Sequence, residues 1–419
     1  MNNIVLNDQQ EKIKNKAVHW FLHESSQVFE IDGAAGTGKT VLIKEILKAL
    51  NLKATDYYAM AYTGQAALVM RTRGFTNARS IHSTLYEVEE TFIDPEDEDS
   101  LAAKFGVRQI VKKFHIRRSI PENVRLFFID EAYMVPQFMV KQILNFQVKV
   151  IVAGDAHQLP PIGDNPGFLI NPGVHHLTQL MRQSENSPIV YLANRAMHNE
   201  VIHCGMYGND VMVIEDKEFI PQMVGFADCI CCGTNMTRDM MNKYIRSLAG
   251  YRGQMPHCGE RIICRRNNWE TESDGIALTN GLAGVIMNNP DIPKGTDTNN
   301  VFHVDFKPDI GNTLFFEIPV NYNYFVASSK EKNFLKESAS SRFLKGNFFD
   351  YAYCLTTHLC QGSEYNNGVV LEEYLRYEIQ AQLIYTGITR FKNKLIFVKK
   401  TNKYIYIPGM ENTGVQNKF

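Results

Sequence analysis

The sequence predicts an α/β chain with a β-rich insertion, and three observations carry that prediction. First, Val28-Phe29-Glu30-Ile31 reads as a short buried strand that runs through the glycines of Gly33 to Thr40. Val41, Leu42, Ile46, Leu47 and Leu50 then recur at helical spacing. Second, further apolar runs at 57–61, 126–129 and 148–153 each end in a polar or glycine-bearing tip, so four strands alternate with helices up to about residue 183. Third, the texture changes from about 253 to 346. Short strands there are broken by Asn, Gly, Asp and Pro, as in a small β-barrel, before α/β patterning returns at Tyr351.

Each element has a local reason. Asn7 or Asp8 can cap a first helix through Ile13, Ala17, Trp20 and Phe21. The run Gly33-Ala34-Ala35-Gly36-Thr37-Gly38-Lys39-Thr40 fits G-x-x-x-x-G-K-[ST] without mismatch. In a strand–loop–helix context, consecutive backbone N–H groups wrap a phosphate at the helix N-terminus, where the dipole favours negative charge. Lys39 then reaches the β- and γ-phosphates, and the Thr40 hydroxyl takes a Mg²⁺ position. The strand at 57–61 leads into Tyr62-Thr63-Gly64-Gln65 and a helix from Ala66, followed by Ser80-Ile81-His82-Ser83.

Residues 87–124 differ in texture, with an acidic run from Asp94 to Asp99 and then Arg108, Lys112, Lys113, Arg117 and Arg118. Alternation in Tyr86 to Glu89 and in Val111 to Ile116 suggests a projecting hairpin; an acidic loop with a solvated helix is the alternative. The strand at 126–129 delivers Asp130-Glu131 at its carboxyl end, where open α/β sheets collect ligand chemistry. There Asp130 would hold the Mg²⁺ shell, and Glu131 would orient and deprotonate the attacking water. The strand at 148–153 ends in Gly154-Asp155-Ala156-His157-Gln158-Leu159-Pro160-Pro161.

The remaining chain carries no second phosphate loop. A strand at 229–232 leads to Gly233-Thr234-Asn235 and a helix with Met236, Met240, Met241 and Tyr244. Strands at 261–264, 276–278, 284–287, 301–306 and 314–320 build the β-rich part, and strands at 369–371 and 394–398 close the chain.

Length, charge and cysteines set bounds. At 419 residues, two to four domains are expected. A formal charge of −1 gives no global pull on nucleic acid, so any such binding must come from local basic patches. No apolar run is long enough to span a bilayer, and the opening residues lack a signal-peptide layout, which points to a cytoplasmic protein. The eight cysteines include no paired C-x-x-C spacing and read as reduced thiols.

The ordered set of motifs resembles superfamily-1 helicases, in particular their 5′-to-3′ branch of RecD and the phage Dda helicase. Leu6 to Gln10 is similar to that family's Q motif, which implies that Gln10 reads adenine. Gly33 to Thr40 resembles motif I, Ala61 to Ala67 motif Ia, Ser80 to Ser83 motif Ib and Asp130-Glu131-Ala132 motif II. Gly154 to Pro161 resembles motif III, whose glutamine, here Gln158, senses the γ-phosphate. Leu177 to Gln183 resembles motif IV with Arg182, Thr357 to Glu364 motif V, and Tyr385 to Arg390 motif VI with Gly387 and Arg390. Arg266-Asn267-Asn268 and Thr279-Asn280-Gly281 are similar to the family's inserted barrel. Two departures stand out: Tyr133 replaces a serine after Asp-Glu-Ala, and Leu359-Cys360 replaces Lys-Ser in motif V.

The resemblance implies two RecA-like domains, a hairpin insertion in the first and an SH3-like β-barrel in the second. Its boundaries would be a first motor domain over 1–183 with a wedge hairpin at 87–124, a second motor domain over 184–252 and 347–419, and the barrel over 253–346. It implies an ATP-dependent, Mg²⁺-requiring DNA helicase moving 5′ to 3′, in phage or bacterial replication, recombination or repair. Lys39, Glu131, Gln158, Arg182 and Arg390 would be catalytic, the arginines reaching across a cleft to charge developing on the γ-phosphoryl group. Thr63, Gly64, Gln65, His82, Asn235, Thr357, His358 and Gln361 would face nucleic acid.

Partners would be single-stranded DNA and its junctions with duplex, with a single-strand-binding or replisome protein beside them, for a monomeric chain. An RNA track, or a P-loop ATPase that remodels nucleoprotein complexes, is the alternative. A non-motor subunit that binds DNA for a nuclease complex is a further one, against which the intact Lys39, Asp130, Glu131 and Gln158 count.

Overall fold

The computed structural model describes residues 5–93, 109–179, 187–273, 276–291, 301–311, 313–328, 331–332, 335, 345–373, 379–402 and 405–408, and the backbone alone along 88–93 and 109–114. Its first helix, Asp8–His23, is capped by Asn7 rather than by Asp8. The Asn7 side chain accepts from the Gln10 N–H at 2.8 Å, and the Gln10 carboxamide accepts from the Asn7 N–H at 3.1 Å. This reciprocal cap satisfies two backbone donors at the helix start.

The first sheet contains β1 (Val28–Gly33), β2 (Tyr57–Ala61), β3 (Arg79–Ser80), β6 (Leu126–Asp130), β7 (Lys149–Gly154) and β8 (His175–Leu177), between which the chain also forms β4 (Tyr86–Ile93) and β5 (Gln109–Ile116). Its order is β3-β2-β6-β7-β1-β8, every pair parallel. Both faces are covered, which explains the near-continuous apolar runs. Leu126, Phe128, Ile151 and Ala153 pack on one side with Trp20, Leu42, Ile46 and Met70, from helices Asp8–His23, Lys39–Ala49 and Gly64–Thr72. Phe127, Ile129, Val150 and Val152 pack on the other with Met139, Val140 and Ile143 of helix Gln137–Leu144. The edge strands β3 and β8 escaped the sequence because two or three residues of mixed polarity show no period.

After the short helix Ile81–Leu85, β4 and β5 leave this sheet and pair antiparallel with each other, from Tyr86↔Ile116 to Ile93↔Gln109. This agrees with the hairpin pattern in 86–89 and 111–116. Residues 94–108, with the acidic run, lie outside the described residues.

The second half forms β9 (Gly205–Tyr207), β10 (Val211–Glu215), β11 (Cys229–Cys232), β12 (Arg261–Cys264), β13 (Asn268–Ser273), β14 (Ile276–Leu278), β15 (Ala283–Ile286), β16 (Val301–Pro308), β17 (Phe315–Asn321), β18 (Phe349–Tyr351), β19 (Cys354–Thr356), β20 (Tyr365–Leu371) and β21 (Phe391–Lys399). A second sheet runs β19-β11-β20-β21-β10-β9, parallel except for β9. Between β11 and β19 the chain builds an antiparallel sheet of order β17-β16-β15-β12-β18, with β13–β14 as a separate hairpin. Period-two burial in β16 sends Phe302, Val304 and Phe306 into the core. Leu68 of helix Gly64–Thr72 is buried in the same cluster, so this antiparallel sheet packs on a helix of the first half. Strand β18 lies beyond the texture boundary at 346, because its Phe-Asp-Tyr carries none of the punctuation that marked the rest.

Candidate active site

The loop after β1 is shaped by two glycines in the left-handed region, Gly36 (φ +83°) and Gly38 (φ +80°), where a β-carbon would be strained. Thr37 Oγ1 donates to the Ala34 carbonyl at 2.9 Å and Gln10 Nε2 to the Thr37 carbonyl at 3.1 Å, so both side chains brace the loop from below. Helix Lys39–Ala49 starts without a side-chain cap, leaving its N-terminal N–H groups for an anion. Lys39 Nζ donates to the Gly33 carbonyl at 2.5 Å and the Ala34 carbonyl at 3.2 Å.

A cavity of about 250 Å³ opens over this loop. The first sheet supplies Lys39, Thr40, Asp130, Glu131 and Gln158 to its wall, and the second half supplies Gly362, Glu364, Thr389 and Arg390. Glu131 stands just past β6 at φ +51°, a left-handed backbone that is strained for a non-glycine residue. Its N–H donates to Asp130 Oδ1 at 3.0 Å. Burial, and then the Asp130 carboxylate, push the Glu131 carboxyl above its ordinary range, against the pull of Arg390, Lys39 and Arg73. Gln158 Oε1 is buried without a hydrogen-bond partner among the described residues at the cavity wall, an acceptor that a bound donor can satisfy. Arg390 is buried and held by the Thr386 carbonyl at 3.0 Å from Nε and by Thr389 Oγ1 at 3.2 Å from Nη2.

The loop after β7 is clamped from the second half. The Leu159 N–H donates to Thr386 Oγ1 at 3.0 Å, and Gln361 Nε2 donates to the Leu159 carbonyl at 2.9 Å. The Tyr385 hydroxyl donates to Asp155 Oδ2 at 2.6 Å and accepts from the Ala35 N–H of the phosphate loop at 3.2 Å. Burial would raise the Asp155 carboxyl, but its bond with His157, the Lys39 charge and the Tyr385 bond outweigh it and hold it below the usual range. Asp32 steadies the same loop, accepting from the Ala156 N–H at 2.9 Å.

The sequence-expected residues separate into groups. Ala34, Ala35, Gly36, Gly38, Lys39, Thr40, Asp130, Glu131, Gln158 and Arg390 meet at the cavity. Gln10, Gly33 and Thr37 lie behind the loop; a β-carbon on Gly33 would meet Thr37 Oγ1 at 2.6 Å. Gly387 packs against Val370 and Thr357 inside the second domain instead of lining the cavity, because motif VI presents Thr389 and Arg390 there. Arg182 lies outside the described residues. Tyr385, Asp155, Glu364 and Arg73 were not singled out. The first three sat inside quoted motifs, whereas Arg73 belongs to none.

Of the residues expected on nucleic acid, Gly64 and His82 line a second pocket, of about 390 Å³, between helix Gly64–Thr72 and the β13–β14 hairpin. Arg71, Arg79, Arg117 and Trp269 line it too. Thr63 caps its helix by accepting from the Ala66 N–H at 3.1 Å, and Gln65 is buried beside the pocket with Oε1 unpartnered among the described residues. Burial lowers the basicity of His82 and of His358, and Asn235 is exposed at the start of helix Asn235–Leu248. The outward role expected of Thr357 and Gln361 is corrected by their placement. Both are buried, Thr357 donating to the Cys232 carbonyl at 3.2 Å within the second half and Gln361 to the Leu159 carbonyl of the first, because buried carbonyls must be satisfied.

With this geometry in hand, residues 5–216 match the AAA domain family and residues 351–398 match the UvrD-like helicase C-terminal domain. The chain belongs to the AAA domain family, and its residues 351–398 are similar to the UvrD-like helicase C-terminal domain.

Its fold is that of the Pif1/RecD-like group. A structure of two coordinating Pif1 helicases at forked dsDNA aligns with TM-score 0.55 at 16% identity, over 97% of this chain and 95% of that one. Pif1 helicase from Candida albicans aligns with TM-score 0.52 at 16% identity, over 96% and 95%. Pif1 from Bacteroides in complex with ADP-AlF3 and ssDNA aligns with TM-score 0.52 at 16% identity, over 98% and 96%. An uncharacterized protein of Acanthamoeba polyphaga mimivirus is 27% identical over 175 residues, 38% of this chain and 34% of that protein, so the match spans about a third of that relative's length. No helix among the described residues is long and apolar enough to cross a membrane.

Proposed function

We propose that the chain is an ATP-dependent DNA helicase that moves 5′ to 3′ along single strands and opens duplex ahead of it. The observation that carries this reading is the nucleotide cavity walled from both halves, with Tyr385 of the second half bonded to Ala35 and Asp155 of the first beside it. Such a cavity lets a nucleotide bias the closure of two domains, which is what a stepping motor needs. The solved structures with ssDNA and forked dsDNA share the fold and supply the substrate class by analogy.

In the mechanism, the loop N–H groups and Lys39 bind the triphosphate, Glu131 orients and deprotonates the water, and Gln158 reports on the terminal phosphate by donating from its carboxamide nitrogen, its oxygen being an acceptor for the water. Arg390, and Arg182 by motif, stabilise charge in the transition state. Thr40 and Asp130 fit Mg²⁺, offering a hydroxyl and a carboxylate beside the phosphate loop; that ion would neutralise phosphate charge. Single-stranded DNA would enter the pocket of Arg71, Arg79, Arg117 and Trp269, with phosphates on guanidinium groups and a base on the indole.

The same reading divides the chain into motor domains 1–183 and 184–252 with the residues after β18, an SH3-like insertion from 253 through β18 (Phe349–Tyr351) in place of the boundary at 346, and a strand-separating hairpin within 87–124. The chain would work as a cytoplasmic monomer beside a single-strand-binding or replisome protein. ATPase rates with and without single-stranded DNA or RNA, then unwinding of duplexes tailed at the 5′ or 3′ end, test it. Stimulation by RNA alone, or opening of 3′-tailed duplexes only, would overturn the track or the polarity.

A further inference from the structure

Arg73 ends helix Gly64–Thr72 as its C-cap and belongs to none of the motifs, yet its side chain lines the nucleotide cavity. Nη1 lies 3.4 Å from Thr40 Oγ1, the hydroxyl that fits Mg²⁺. Nη2 is ion-paired with Glu364 of the second half, whose other oxygen holds Lys392 Nζ at 2.7 Å. The guanidinium is also close enough to Asp130 and Glu131 to feel both carboxylates. Lys39, meanwhile, is folded onto loop carbonyls, and Arg390 is tied to Thr386 and Thr389. Among the described residues, Arg73 is thus the cation hydrogen-bonded to the Thr40 hydroxyl.

A hydroxyl that receives a guanidinium cannot at the same time be well placed beside a divalent cation, because the two positive charges repel at such range. Glu364 is the acceptor to which Arg73 is already attached, and it belongs to the other domain. We propose that Arg73 is a positioning residue that holds the Thr40 hydroxyl and is transferred wholly onto Glu364 when Mg²⁺-nucleotide loads. Nucleotide loading then tightens an ion pair between the two halves. This rests on the reading of the cavity as a nucleotide site.

The test uses binding rather than turnover. The fluorescent nucleotide N-methylanthraniloyl-ADP is titrated onto the full chain at a series of free Mg²⁺ concentrations, and the midpoint of the magnesium-dependent gain in affinity is read. Arg73→Gln frees Thr40 and lowers the midpoint, by about two- to fivefold, the range a partly exposed ion pair supports. Glu364→Gln removes the receiving carboxylate, leaves Arg73 on Thr40 and raises the midpoint by a similar factor. A merely structural salt bridge would move both variants in one direction. Shifts of the same sign, or one common midpoint in all three proteins, overturn the exchange. Failure of the unsubstituted chain to bind the nucleotide at all overturns the nucleotide site itself. Melting curves of both variants confirm that folded proteins are compared.

Discussion

The Tyr385 hydroxyl donates to the Asp155 carboxylate at 2.6 Å while accepting from the Ala35 N–H at 3.2 Å. One phenol from helix Gln380–Ile388 therefore touches both the loop that binds phosphate and the loop that carries Gln158. A hydrogen bond to a charged group contributes about 1.5–3 kcal/mol. Tyr385→Phe should keep nucleotide affinity within a few-fold while stimulated kcat drops by about tenfold or more, the lower end of that energy. ATPase rates with and without single-stranded DNA, beside a fluorescent-nucleotide titration, decide it. An unchanged stimulation ratio would remove Tyr385 from the coupling.

Lys39 and Glu131 should fail differently. Lys39→Ala removes the ammonium that must turn from the loop carbonyls to phosphate, so binding and hydrolysis are lost together. Glu131→Gln keeps a side chain of the same shape beside Asp130 and should bind nucleotide normally while turning over about 10²–10⁴-fold more slowly. Near-normal phosphate release by Glu131→Gln would mean that another group activates the water.

Much of this site was legible because its chemistry is local in sequence. Gly33 to Thr40 and Asp130-Glu131 are short runs whose side chains and backbone act where they stand. What was not legible depends on distance. Gln361 and Thr357 read as outward polar residues, but the Leu159 and Cys232 carbonyls they satisfy come from far along the chain. Arg73 had no motif, and its meaning appears only when Thr40 and Glu364 are beside it. The fold shows the same limit. Apolar runs announced the central strands, whereas β3, β8 and β13 lacked a long enough or regular enough pattern; helix Pro188–Met197 did carry one, with Ile189, Leu192, Ala193 and Ala196 at helical spacing behind Pro188, and went unread.

Glu131 also sets a pH dependence. Burial and Asp130 raise its carboxyl from the ordinary 4.5, so the base is lost by protonation at a higher pH than for an exposed glutamate. The acid limb of kcat/KM should therefore lie above that value, and Arg390→Gln, which removes a cation that pulls it down, should move the limb further up. Comparing both proteins on the same substrate cancels the substrate's own ionisation. The folded chain holds this proton more tightly than the unfolded one, so stability declines as pH rises from the ordinary value through the raised one. Glu131→Gln should accordingly melt higher than the parent at neutral pH. A limb that moves down in Arg390→Gln would contradict the assigned electrostatics.

The second pocket makes a quantitative claim about salt. Arg79 and Arg117 are exposed at its wall, and Trp269 comes from the β13–β14 hairpin opposite. Each phosphate contact to a single strand contributes about 0.7 to the slope of log affinity against log salt. Arg79→Gln and Arg117→Gln should each reduce that slope by about this amount. Trp269→Ala should cost about 1–3 kcal/mol of affinity at fixed salt and leave the slope alone. Slopes that do not change in either arginine variant would place the strand elsewhere.

The hairpin of β4 and β5 is rooted at this same pocket, since Tyr86 forms its first pair with Ile116, Arg117 follows directly, and both Tyr86 and Arg117 line the wall. Phe92 and Phe114 lie on its strands and Phe105 between them, but their side chains fall outside what is described, so no one aromatic is assigned to the junction. Opening duplex disrupts stacking of about 1.4 kcal/mol per base-pair step, which translocation can supply only if something rigid excludes the second strand. Replacing residues 93–108 with a short Gly-Ser turn should leave the nucleotide cavity and the pocket intact. DNA-stimulated ATPase and single-strand translocation should then persist while unwinding of tailed duplexes collapses. If the shortened chain opens duplex at the parental rate per ATP, the separator is not this hairpin, and the antiparallel sheet of β12 and β15–β18 becomes the next element to truncate.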